Sequence, residues 1–178
     1  VFSFYRPVSL ERVVRKGQKE LSGKRWVELY KLAHLDKERA FQAYSDYYLT
    51  TDGQVYWSDT HQMSYYVTGF DEVIDKASGS RAPGSLMICE FYVPREDLPA
   101  FLRKAATAIR KEKADLVYGT VRYIEKDEDS FLTWARKPWA CSVMNLRVTH
   151  DEAGIEDAKR QFRAITDAAL EFGGSYFL

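Results

Sequence analysis

The chain has 178 residues, 46% of them apolar and 29% charged. This is a globular composition, long enough for one domain with its own core or for one domain plus an appendage. Lysine plus arginine and aspartate plus glutamate both number 26, so no bulk field favours nucleic acid or an anionic membrane. Two cysteines without CxxC spacing, Cys89 and Cys141, and three dispersed histidines argue against a disulfide framework and a structural zinc site.

No apolar run approaches the roughly 18 residues of a membrane span. Val1 to Tyr5 lead straight into charge rather than into a signal peptide, and a reducing cytoplasm is the expected compartment. Residues 1–50 read as a helical N-terminal part. Ser9 with Glu11 and Arg12 is a candidate helix start, Gly17 and Gly23 interrupt, and Trp26, Leu29, Tyr30 and Ala33 recur at helical spacing. Asp36 is placed to cap a further helix carrying Phe41, Tyr44 and Tyr48. Asp52-Gly53 is a turn dipeptide before an extended stretch through Val55, Trp57 and "SDTHQMSYYV". "GFDEVIDKASG" reads as a short helix or loop, and "SGSRAPG" (78–84) as a linker.

From residue 84 the pattern is regular. "SLMICEFYV" is a strand ending at Pro94, followed by an amphipathic helix with Leu98, Leu102, Ala105 and Ile109 on one stripe. "LVYGTVRYI" is a second strand, "EKDEDSFLTWARKPWA" a polar connection and "CSVMNLRVT" a third strand. A helix with Ile155, Ala158, Phe162, Ile165, Ala169 and Phe172 at three-four spacing closes on Gly173-Gly174 before a last strand, "SYFL". The order over 84–178 is β-α-β-β-α-β. It predicts an α+β, ferredoxin-like antiparallel sheet with both helices on one face, plus an N-terminal helical and strand extension.

Period-two alternation sorts the strand residues. Met87, Cys89, Phe91, Val117, Val121, Met144, Leu146 and Val148 should meet the helices. Glu90, Tyr92, Tyr118, Thr120, Arg122, Asn145 and Arg147 should lie on the other face. If that face meets water, the arginines are unremarkable, and Arg122 paired with Glu90 contributes roughly 0 to 1 kcal/mol. Gly119, in mid-strand, argues for close approach by something or for a bulge. Aromatics reach 15%, with twelve tyrosines, which suits either a ligand site or a half-buried sheet face. His61 reads as structural more readily than catalytic, and His34 and His150 as surface residues. No nucleophile–base pair, phosphate-binding glycine loop or metal set is legible.

The segments "DGQVYWSDTHQMSYY", "ICEFYVPREDLPAFL", "YGTVRYIEKDEDSFLTWAR" and "FRAITDAALEFGGSYFL" resemble the C-terminal, substrate-side region of FAD-linked oxidoreductases of the vanillyl-alcohol-oxidase type. The likeness is nearest to the branch of sugar and alditol oxidases and sterol side-chain reductases. It implies a cap over a flavin that is held by a separate FAD-binding domain absent from this chain. The whole chain, 1–178, would then be a substrate (cap) domain fragment that does not itself retain FAD. The resemblance further implies that Arg122 acts on the reacting substrate and that Arg147, Thr120, Asn145, Tyr118, Glu90 and His61 shape its site. Relatives carry an acid two residues before the arginine, where this chain has Thr120, so their polyol chemistry does not transfer directly. Arg122 and Arg147 are expected to reach a common pocket. The competing readings are a stand-alone ferredoxin-like ligand-binding or regulatory module and an RNA-binding sheet. The balanced charge and the lack of an RNP-like motif weigh against the last.

Overall fold

The computed structural model describes residues 5–57 and 69–177. His61 and the expected extended stretch around it lie outside those residues. The chain divides into two compact units, Val1–Ile74 and Asp75–Leu178.

In the first unit, α1 (Gly23–Leu35) and α2 (Lys37–Leu49) form a helical pair. The expected helix start at Ser9 is instead a turn closed by Arg12 N–H on the Ser9 carbonyl, and Gly17 takes a positive φ of 75°. The first helix therefore begins only at Gly23, where the Ser22 hydroxyl accepts from Arg25 N–H. Asp36 caps α2 through Arg39 N–H at 3.0 Å, and Gly53 supplies the positive φ of the predicted turn. No residue of α1 is buried and only Ala40 of α2 is. Rings meet here instead: Trp26 of α1 lies 6.4 Å from Tyr44 of α2, Tyr44 lies 4.5 Å from Tyr48 within α2, and Tyr30 stacks at 5.0 Å on Phe70 of α3 (Phe70–Ser78). Three of the twelve tyrosines, Tyr30, Tyr44 and Tyr48, thus belong to this ring cluster, and four, Tyr92, Tyr118, Tyr123 and Tyr176, to the sheet.

In the second unit, β1 (Gly84–Pro94), α4 (Leu98–Lys111), β2 (Leu116–Ile124), β3 (Trp139–Thr149), α5 (Glu152–Leu170) and β4 (Ser175–Phe177) follow the predicted β-α-β-β-α-β order. The strands lie as β2-β3-β1-β4, antiparallel at every pairing. This is the ferredoxin-like α+β arrangement read from the sequence. One core joins Cys89, Phe91 and Val93 of β1, Met144 and Leu146 of β3, Phe101 and Ala105 of α4, and Ile165 and Ala169 of α5. Both helices therefore cover a single face. Leu98, Ala105 and Ile109 of the expected α4 stripe meet the core, but Phe101 is fully buried there while Leu102 is exposed. Val121 is likewise exposed, on the edge strand β2. Gly173, at φ 63°, ends α5, and Gly174 N–H returns to the Ala169 carbonyl. No described helix is long and apolar enough to cross a membrane.

Candidate functional site

The face of the sheet away from α4 and α5 is ordered by strand register into rows. Ile88, Asn145 and Tyr118 form one row, Glu90, Val143 and Thr120 the next, and Tyr92, Cys141 and Arg122 the third. Rows on one face repeat about every 7 Å. Glu90, Tyr118, Thr120, Arg122 and Asn145 therefore gather on one patch. A bulge makes this possible. Leu116 pairs with Leu146 and Tyr118 with Asn145, leaving Val117 as the extra residue. Leu116 can then pack on the core while Tyr118, two residues later, faces the other way.

Gly119 is explained by the same local geometry. A Cβ there would stand 2.8 Å from the Val143 carbonyl oxygen, so the close approach is by the neighbouring backbone, not by a ligand.

Arg147 lies six β3 positions from the Cys141 row of Arg122, about 20 Å away. The two guanidinium groups do not share the single pocket expected of them. Arg147 is instead nearly buried and ion-paired with Asp75 of α3, which also accepts Gly84 N–H at 3.2 Å. A side chain at residue 84 would collide with that guanidinium. Asp75 and Arg147 are 72 positions apart in sequence, and no local pattern signals their pairing.

Arg122 is the opposite case: its side chain is 65% exposed, with its Nη1 3.9 Å from Glu90 Oε1. The other Glu90 oxygen accepts the Tyr92 hydroxyl. Tyr92 is buried, and Trp134 of the β2–β3 connection meets its ring edge-on at 4.8 Å. Burial, reinforced by the bond to Glu90, pushes the Tyr92 phenol well above its usual range, so it remains a donor. Burial first, then the Glu90 charge, raises the adjacent Cys141 thiol to about 11. Asn145 is 3% exposed, and its Oδ1 has no hydrogen-bond partner among the described residues. It is an acceptor that water or a ligand donor can satisfy. Tyr92 was expected on this face but given no role there, and Trp134 was not expected at the site; its only sequence signal is an aromatic residue in an otherwise polar connection.

Ser85 Oγ and His150 Nε2 lie 2.8 Å apart, a hydroxyl–imidazole pair that the sequence did not reveal. Both residues sit at the far end of β1 and β3, and Ser85 shares strand parity with Met87 and Cys89, on the helix-covered side. They are therefore not part of the Arg122 patch. A shallow cleft of about 250 Å³ lies in the first unit, lined by Arg15, Gln18, Glu20, Tyr56 and Trp57 among others, and contains none of the predicted site residues.

No protein-family model and no curated protein matches the chain. Among solved structures, a C-terminal segment of the alpha subunit of aIF2 from Pyrococcus abyssi is similar at 14% identity. The match covers 87% of this chain and 91% of that one at a TM-score of 0.32, a superposition too loose to bear on fold or function.

Proposed function

We propose that this chain is the substrate-binding cap region of an FAD-dependent oxidoreductase, located in the cytoplasm, that orients an alcohol- or sugar-like substrate for hydride transfer to FAD. The observation that carries the reading is the exposed Arg122 guanidinium, set on a patch with an acceptor, Glu90, and aromatic neighbours, Tyr92 and Trp134. The four segments that resemble FAD-linked oxidoreductases include most of β1 and β2, all of β4 and the end of α5.

The residues suit a role facing the reaction centre but not one of holding the cofactor's pyrophosphate. Four of the five described α-helices begin on carboxylates: Asp36 and Glu38 at α2, Asp71 and Glu72 at α3, Glu96 and Asp97 before α4, and Asp151 and Glu152 at α5. Such termini repel an anion. When bound by the rest of the protein, FAD supplies the hydride acceptor. Arg122 donates to the substrate oxygen and stabilises negative charge that develops there. Glu90 accepts from a substrate hydroxyl, and Tyr118, Thr120 and Asn145 line the same rows. Cys89 and Cys141 are free thiols on opposite faces of the sheet, consistent with a reducing compartment.

Arg122→Ala in the full-length protein tests the reading. Stopped-flow flavin reduction should slow by on the order of 100- to 1000-fold, the usual loss for one charge-stabilising donor, while the FAD content of the purified protein stays unchanged. Wild-type reduction kinetics would end the catalytic assignment of Arg122.

A further inference from the structure

We infer that Tyr92 and Glu90 are positioning residues for Arg122, together forming a chain that aims its guanidinium across the sheet; this rests on the functional reading above. Arg122 stands on an edge strand, three residues past Gly119, on a long side chain with most of its surface free. Left alone, such a side chain samples many rotamers. The carboxylate of Glu90 lies two strands away, across Val143 and Cys141, and supplies the ionic contact among the described residues that biases its direction.

Glu90 is itself held. Its side chain is mostly buried, and one oxygen is occupied by the Tyr92 hydroxyl, leaving the other turned to Arg122. The anchor is Tyr92, packed beside its cross-strand partner Cys141 and met at its ring by Trp134. Its phenol keeps its proton through the neutral range because burial and Glu90 both oppose ionisation. The Cys141 thiol, at about 11, likewise stays neutral and does not compete for the guanidinium. The chain thus runs from a fixed, buried ring through a constrained carboxylate to an exposed cation. This gives Glu90 a positioning role besides the substrate contact suggested by its place on the face.

Tyr92→Phe removes the hydroxyl and keeps the ring and its contact with Trp134. In the full-length protein the melting temperature should fall by no more than the loss of one hydrogen bond, about a few degrees, because the ring and its packing are kept. The Arg122 Nε–H NMR resonance, assigned with Arg122→Lys, should move toward that of a free arginine. Flavin reduction should slow by about 10- to 100-fold, as expected for a misplaced reacting group. Glu90→Gln should be at least as slow, and the double variant no slower than Glu90→Gln alone, because Tyr92 acts through Glu90. Additive losses in the double variant, or an Arg122 resonance unmoved by Tyr92→Phe, would overturn the inference. If Arg122→Ala slows reduction and Tyr92→Phe does not, the positioning role fails and the functional reading stands. If Arg122→Ala has no effect, the functional reading fails, and the resonance alone decides whether Tyr92 and Glu90 aim the guanidinium.

Discussion

Removing the Asp75 carboxylate separates two roles for Arg147, a structural tie or a second substrate contact. The pair is 10% exposed on the arginine side and 21% on the aspartate side. Exposed ion pairs contribute about 0 to 1 kcal/mol, whereas breaking a buried one costs about 3 to 5 kcal/mol because the remaining charge is stranded. Asp75 and Arg147 lie nearer the buried limit. Asp75 also holds Gly84 N–H at the start of β1, and Arg147 has further contacts that keep it partly satisfied. Asp75→Asn should therefore cost about 1 to 3 kcal/mol, between those limits. In a unit of roughly a hundred residues each kcal/mol lowers the melting temperature by about 4 to 8 °C, so a midpoint of about 2 kcal/mol predicts a fall of about 8 to 16 °C. Calorimetry on Asp75→Asn, Arg147→Met and the double variant measures it. The double should be more stable than the sum of the singles implies, because Arg147→Met removes the stranded charge. A melting temperature unchanged by Asp75→Asn, or an Arg147→Met protein of full stability that no longer turns over substrate, would refute the structural assignment and return Arg147 to the site.

Asp151 caps α5 through Gly154 N–H and pairs with Arg81, whose hydrogen bond is the main reason its carboxyl falls from 3.8 to about 2. A depressed carboxyl stabilises the fold above its unfolded value and loses that stabilisation as pH falls, so the contribution should be intact above pH 4 and disappear toward pH 2. Acid melts of Asp151→Asn should show a weaker fall in stability over that window than wild type; parallel curves would contradict it. Cys89, raised by burial to about 12, and Cys141, raised to about 11, should both resist an aromatic disulfide reagent at pH 8 in the native protein and react on unfolding. Rapid native labelling of either thiol would show that the sheet opens far more readily than its packing implies.

The fold was legible where the period of the pattern decided it. Two three-four stripes alternating with period-two strands admit few arrangements, and the turn chemistry at Asp52-Gly53, Pro94 and Gly173-Gly174 fixed the ends. Reading failed where a local signal had to compete with packing. Ser9 offers a cap, but the chain turns there instead, Gly17 takes a left-handed conformation, and the helix waits for Ser22. On α4 the expected stripe holds at Leu98, Ala105 and Ile109, but Phe101, 6.3 Å from Phe91, takes the buried place expected of Leu102.

The candidate site divides along the same line. Which residues share the far face follows from alternation alone, so Glu90, Tyr118, Thr120, Arg122 and Asn145 could be grouped from the sequence. What each side chain does there depends on partners distant in sequence. Two arginines with similar strand contexts end in opposite states, because Asp75 reaches Arg147 and, among the described residues, nothing comparable encloses Arg122. Gly119 shows how a sound inference can point to the wrong cause. A mid-strand glycine does signal close approach, and the approaching group is the carbonyl of Val143 on the next strand. The glycine therefore reports contact between neighbouring strands, and it argues neither for nor against a ligand at Arg122.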